Sequence, residues 1–206
     1  QVMEGLKQAE FRTGNVETLP PEGMMAPDSY EVKPGADRGE LVAKMVAAQE
    51  AILAAAWANR AEGLPYETRL EALTMASIVE KETGIAGERP LVASVFVNRL
   101  RQGMRLQTDP TVIYGVTQGR SVLGRGLRQS ELRGQTPYNT YVIDGLPPTP
   151  IANPGKAAIE AALHPADSEY IFFVADGTGG HAFAKTLAEH NRNVAAWRAI
   201  EAERGN

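Results

Sequence analysis

The 206-residue chain has no cysteine, which excludes disulfides and thiolate sites. That absence suits an intracellular protein and a bacterial periplasmic one equally. No run reaches the roughly 18 consecutive apolar residues of a membrane span, and the N-terminus has no basic region followed by a hydrophobic one. Charge of one sign is also missing: 21 basic residues stand against 25 acidic, so no global attraction to nucleic acid or an anionic membrane follows. The basic stretch RGLRQSELRG is interrupted by an acid, which argues against a nucleic-acid partner. DGTGG lacks the lysine and hydroxyl residue of a phosphate loop, no Gly-x-Ser-x-Gly elbow occurs, and the histidines are not at H-E-x-x-H spacing. No metal site and no cofactor is expected.

What is present is a globular composition, 43% hydrophobic, in a chain long enough to bury a core. The chain starts at QVMEGL rather than at methionine, so a processed product or a piece of a longer protein is expected. Residues 1–36, punctuated by LPPEG and KPGAD, read as a lead-in or the remnant of a connection to a preceding module. Residues 37–206 read as one domain. Asp37 is placed to cap a helix running to about Ala61, a second helix is expected between Thr68 and Thr83 with Gly84 as terminator, and a third from Arg89 to Leu100 ended by Gly103. A proline- and glycine-punctuated middle follows, with helical turns in TVIYG and QSELRG. Then come a short helix over Pro154–Leu163 with its proline in the first turn, a strand in EYIFFVAD, a DGTGG turn, a partner strand in HAFAK and a closing helix over Thr186–Glu203. The fold class is α+β and predominantly helical.

The segment MASIVEKETG raises the question of which carboxylate does chemistry. At roughly 100° per residue, Ala72, Met75, Ala76, Ile78 and Val79 form a broad apolar face. Glu82 follows Ile78 by four and Val79 by three and returns over that face. Lys81 points nearly the opposite way, and Glu80 lies toward the edge. A carboxyl among apolar neighbours has its charged form disfavoured and its pKa raised, so Glu82 is the better proton donor. The spacing is equally compatible with two surface glutamates at a charged helix end.

Four motifs carry a resemblance: MASIVEKETG, RPLVASVFVNRLRQGMRLQTDPTVIYG, YNTYVIDGLPPTPIANPG and ALHPADSEYIFFVADGTGGHAF. In this order and spacing, over about residues 60–195, the chain resembles the MltG/YceG-like family of endolytic murein transglycosylases. The resemblance implies a lysozyme-like catalytic domain with a small strand-bearing insertion. It implies a lyase that cuts between N-acetylmuramic acid and N-acetylglucosamine in peptidoglycan and leaves a 1,6-anhydro-muramoyl end. Its catalytic glutamate falls on Glu82, with Glu80 as a helper. It also implies termination of nascent glycan strands beside cell-wall synthases. The protein would sit at the periplasmic face of the bacterial inner membrane, held by a single N-terminal span, with a LysM-like module preceding the catalytic domain; neither is recognisable in this chain. The alternative from another class is a noncatalytic peptidoglycan-binding or cell-wall scaffold module.

The remaining candidates are polar groups suited to hold sugar. Gln107 offers an amide for an N-acetyl group or hydroxyl, and a similar glutamine in the family lies near the cleft. Thr108 and Asp109 are either cleft residues or caps of the following helix. Tyr138 and Tyr141 combine a ring face with a hydroxyl, and such residues are also ordinary at a core edge. Asn139 is a candidate for positioning the reacting sugar. His181 recurs in the family signature and is a candidate to orient a carboxylate or bind substrate, whereas His164 reads as a helix-end residue.

Overall fold

The computed structural model describes residues 19–204. Elements begin where short-range chemistry starts them. Asp37 accepts the Glu40 N–H at 3.1 Å and caps α1, Arg38–Ala58. Thr68 and Glu71 form a reciprocal capping box at the head of α2, Arg69–Glu82. A 3₁₀ turn, Ala86–Glu88, leads into α3, Arg89–Arg101, with Pro90 in its first turn, where no amide hydrogen is needed. Gly103, at φ 65°, stops it. The short helices α4 (Asp109–Thr117), α5 (Gln129–Leu132) and α6 (Lys156–Leu163) follow. An antiparallel hairpin pairs β1 (Phe172–Ala175) with β2 (His181–Ala184) so that Ala175 faces His181, and α7 (Leu187–Arg204) packs against it. The architecture is α+β, and among the described residues the strands are confined to this hairpin.

α3 and α7 end within one residue of expectation, and three other boundaries differ for a local reason. α1 ends at Ala58 rather than Ala61, because Asn59 leaves the helix and turns its side-chain amide back to the Ala55 carbonyl at 3.0 Å. Gly84 does not end α2; Thr83 does, in extended backbone, with its hydroxyl accepting the Ile85 N–H at 3.1 Å. Pro154 lies before α6 rather than in its first turn; Gly155 is the cap residue, and the Pro154 carbonyl is used by Gln49 at 3.0 Å.

The core is organised around α2. Every residue from Ala72 to Val79 is buried, so this helix is enclosed on all sides and not along one stripe. It packs chiefly on α6, and on α3, α1 and α4. Its polar members are satisfied internally: Ser77 donates to the Thr74 carbonyl at 2.7 Å and accepts the Ile151 N–H at 3.0 Å, which fastens the proline-rich loop to α2. Among the described residues α1 is apolar and long enough to cross a membrane by composition. Here Val42, Met45, Gln49 and Leu53 on it are buried against the body. Of the lead-in over residues 1–36, residues 1–18 lie outside the described residues. The remainder joins the body: Met25 and Ala26 are buried, the Ala26 N–H donates to the Met45 carbonyl at 3.0 Å, and Gln49 reaches the Gly23 carbonyl at 2.8 Å.

Because Ile78 is wholly enclosed, Ile78→Ala is expected to lower unfolding free energy by about 2–5 kcal/mol. Thr68→Ala, which removes only the cap, costs about 1 kcal/mol. Urea titrations of both variants check the ranking.

Candidate active site

α2 drives a carboxylate into the body of the protein. Glu82, its last residue, is half-buried, and its Oε1 accepts the hydroxyl hydrogen of Thr108. Thr108 is held there by a buried set of threonines. Its N–H donates to Thr140 Oγ1 at 3.1 Å, Thr140 and Thr111 share a hydrogen bond at 2.8 Å, and the Gln107 N–H donates to the Thr140 carbonyl at 3.1 Å. The RLQTDP and YNTY segments are thereby one unit facing the end of α2. Burial raises the pKa of Glu82 above the usual carboxylate range. The Thr108 hydrogen bond opposes that rise, the Asp109 charge adds to it, and His181 opposes it. Glu82 is thus a carboxyl biased toward holding its proton.

Asp109 accepts the Tyr141 hydroxyl at 2.6 Å. Burial first, and then that hydrogen bond, push the phenol well above its ordinary pKa, so Tyr141 is a neutral donor tied to Asp109. Asp109 also starts α4, and Thr108 is the preceding cap residue without a capping hydrogen bond, its hydroxyl being spent on Glu82. Gln107 is exposed, in left-handed backbone at φ 53°, and its Oε1 accepts from Arg99 at 3.3 Å. A non-glycine residue held in that region, next to the threonine that meets Glu82, is the kind of local strain that surrounding structure must enforce.

Other candidates are placed differently. Asn139 is completely buried; its amide nitrogen lies within hydrogen-bond reach of the carbonyls of Glu131, Leu132 and Gly134, and its oxygen accepts the Tyr141 N–H at 3.0 Å. With its amide nitrogen and oxygen engaged by backbone and its side chain enclosed, Asn139 shapes the loop that leads to Tyr141. Tyr138 bonds Thr149 at 2.8 Å and sets its ring against Tyr114, with centroids 4.9 Å apart. Glu80 accepts the Gly155 N–H at 3.1 Å and so anchors the start of α6. His164 is the exposed C-cap of α6.

His181 opens β2 and is gripped by a residue that sequence reading passed over. Glu88 Oε2 lies 2.8 Å from His181 Nδ1, and Glu88 Oε1 accepts the His181 N–H at 2.9 Å. Burial pushes the Glu88 carboxyl up, but hydrogen bonds from the His181 ring, the His181 backbone and Thr83 outweigh it and hold the pKa below the usual range. Arg99 was also missed. It is 7% exposed and donates to the carbonyls of Ile171 (2.7 Å), Arg105 (3.0 Å) and Leu106 (2.9 Å). A signal existed for it: Arg99 follows Val92 by seven and Val95 by four, so it lies on the apolar stripe of α3. Among the described residues no group of three acidic or histidine side chains converges as a metal site. Two surface hollows, one bounded by residues between Arg60 and Glu67 and one by Leu64, Asn98, Arg101 and Ser168, contain none of these site residues.

The raised pKa of Glu82 has a stability consequence. A carboxyl whose folded pKa exceeds its unfolded value contributes stability that is present below the unfolded pKa and lost as pH rises through the folded one. Glu82→Gln keeps the oxygen that accepts from Thr108 but cannot ionise. The variant is expected to gain stability relative to the parent as pH rises from below 4.5 toward neutrality, measured by denaturant titration across that range.

The YceG-like family matches residues 1–196, nearly the whole chain and including all of the lead-in. A Bacillus subtilis protein named endolytic murein transglycosylase is 46% identical over 120 residues, 58% of this chain and 32% of the relative. A Streptococcus pneumoniae protein of the same name is 35% identical over 181 residues, 84% of this chain and 32% of the relative. The chain thus spans about a third of the length of the curated relatives it matches. The crystal structure of a protein from Listeria monocytogenes described as yceG-like superposes with a TM-score of 0.70 at 37% identity, covering 86% of this chain and 56% of that one. The chain belongs to the YceG-like family.

Proposed function

We propose that this chain is the catalytic part of an endolytic lytic transglycosylase acting on peptidoglycan glycan strands. The observation that carries the reading is Glu82, a carboxyl held toward its protonated form at the end of α2 and hydrogen-bonded by Thr108. The names of the relatives support the same reading. Residues 37–206 carry the transglycosylase site, and the stretch around Met25 and Ala26 packs on them as part of the same body.

In the proposed reaction Glu82 gives its proton to the glycosidic oxygen as the bond to the anomeric carbon of N-acetylmuramic acid breaks with oxocarbenium character. The C6 hydroxyl of the same sugar attacks that carbon, and the Glu82 carboxylate takes the hydroxyl proton. One C–O bond breaks, one forms, the proton returns to Glu82 and no water is consumed. Because the nucleophile is already attached to the substrate, proximity does the work of a second carboxylate. Thr108 holds the Glu82 carboxyl in orientation, Asp109 with Tyr141 and Gln107 line the approach to the sugar, and His181 faces Glu82 from the hairpin. Glu80, Tyr138 and Asn139 act as supports. The protein works in the cell wall, at the periplasmic face of the inner membrane, anchored by a single N-terminal span and acting beside glycan-strand synthases.

Mass spectrometry of purified strands tests the reading. The parent chain is expected to produce internal fragments ending in 1,6-anhydro-muramic acid, and Glu82→Gln is expected to bind strands but lower the rate by 10²-fold or more. Reducing ends would mean hydrolysis, and binding without cleavage by the parent would mean a scaffold module.

Proton donation also predicts a pH limb. The rate should fall as pH rises through the Glu82 pKa. Thr108→Val removes the hydrogen bond that opposes the rise, so the limb should move to higher pH in kcat profiles of that variant.

A further inference from the structure

Glu88 lies six residues beyond Glu82 and on a different element, yet it reaches the hairpin 93 residues away in sequence. Its two oxygens meet three donors. Oε1 takes the backbone N–H of His181 at 2.9 Å; Oε2 takes Nδ1 of the same residue at 2.8 Å and the Thr83 hydroxyl at 3.3 Å. The direction of the Thr83 hydroxyl is set, because its oxygen already accepts the Ile85 N–H. These contacts hold the Glu88 carboxyl below the usual pKa range, and toward an ionised carboxylate Nδ1 is the donor. Both side chains of the pair are mostly enclosed, at 17% and 18% exposed. The rings of Phe173 and Phe183 lie beside the imidazole, with centroids 5.2 and 6.4 Å away.

The turn before β2 is built around this contact. A Cβ placed on Gly180 would sit 2.6 Å from Glu88 Oε1, so the second glycine of the TGGH motif makes room for the carboxylate. With Nδ1 committed to Glu88, the remaining ring nitrogen, Nε2, has no hydrogen-bond partner among the described residues and is not sealed from solvent. The other charged groups around the pair are Glu82, which His181 influences electrostatically, and Asp176 on the adjoining turn, whose carboxylate is taken up by Thr178 at 2.8 Å.

We infer that Glu88 is a positioning residue of the proposed transglycosylase site. It clamps His181 by ring and backbone, directs the ring's Nδ1–H at itself and leaves Nε2 open to a substrate hydroxyl at the proposed site. The inference rests on the transglycosylase reading for its consequence, and on the clamp alone for its geometry. It explains why Glu88 meets Gly180 and His181 from 93 residues before His181, and why a carboxylate low in proton affinity lies near one that is high.

Long-range ¹H–¹⁵N correlation spectra of histidine-labelled protein test it, with three histidines to assign and His181→Asn to identify the signal. The parent is expected to show His181 as the Nδ1–H tautomer. Glu88→Gln offers one acceptor oxygen to three donors and is expected to lose that tautomer preference, and to lower kcat about tenfold or more with KM within about twofold. Gly180→Ala, which crowds the carboxylate without altering it, should shift the same signal and lower kcat in the same direction, and it supplies the answer if Glu88→Gln does not fold. An unchanged His181 tautomer in a folded variant, or a lost tautomer with kcat unchanged, overturns the inference. Should the parent form no anhydro ends, the transglycosylase reading fails by itself. The spectra then still support the clamp if the Nδ1–H form depends on Glu88, and overturn it if that form does not.

Discussion

A single buried guanidinium holds the site segments in register. Arg99 leaves α3 and binds three backbone carbonyls and a side-chain amide, from Arg105 to Gln107 on one side and Ile171 on the other. Among the described residues it has no carboxylate within ion-pair distance. Its charge is solvated by neutral dipoles and by the Phe172 ring, 5.2 Å from the guanidinium carbon. Desolvating a cation is expensive unless its donors are used, and a rigid fork of donors fixes the positions of its acceptors. The loop that delivers Thr108 to Glu82 and the chain that leads into the hairpin carrying His181 are therefore located by the same group.

That arrangement lets two nearby glutamates acquire opposite proton affinities. Glu82 meets enclosure and one hydroxyl donor, so burial dominates and its pKa rises. Glu88 is also penalised by burial, but donors from His181 and Thr83 overcome the penalty. Neither outcome requires a strong ion pair. Each follows from how many donors the fold supplies, and divergent environments for similar groups are how one protein separates an acid from a fixed anion.

Helical periodicity puts Glu82, and not Lys81, over Ile78 and Val79, and in the fold it is Glu82 that meets Thr108. The capping chemistry at Asp37 and the hairpin of β1 with β2 were equally local and equally legible. Asn139 was not, since its residue type advertises hydrogen bonding without saying to what. Its partners are backbone carbonyls five to eight residues upstream, and only the folded loop shows its amide engaged by them. Glu88 was hidden for a related reason. On sequence it is one more acid at a helix start, and its meaning comes from a hairpin 93 residues later. Arg99 broke the apolar stripe of α3, a local inconsistency of the kind expected where structure has been committed to a site.

The separations involved set a constraint on how the site can fail. Glu82 meets Thr108 across 26 residues, Thr108 meets Thr140 across 32, and Arg99 meets Ile171 across 72. No helix or hairpin brings these groups together by itself; the packed body does. Ordering residues this far apart is costly in chain entropy and is recovered only when the core of α2, α3 and α6 forms around them. Loosening that core therefore changes the proton affinity of Glu82 before the chain unfolds, because water reaching the end of α2 removes the burial that raises it. Core stability and the acidity of the proposed proton donor are coupled through one helix, so substitutions remote from Glu82 that leave the protein folded still act on its chemistry.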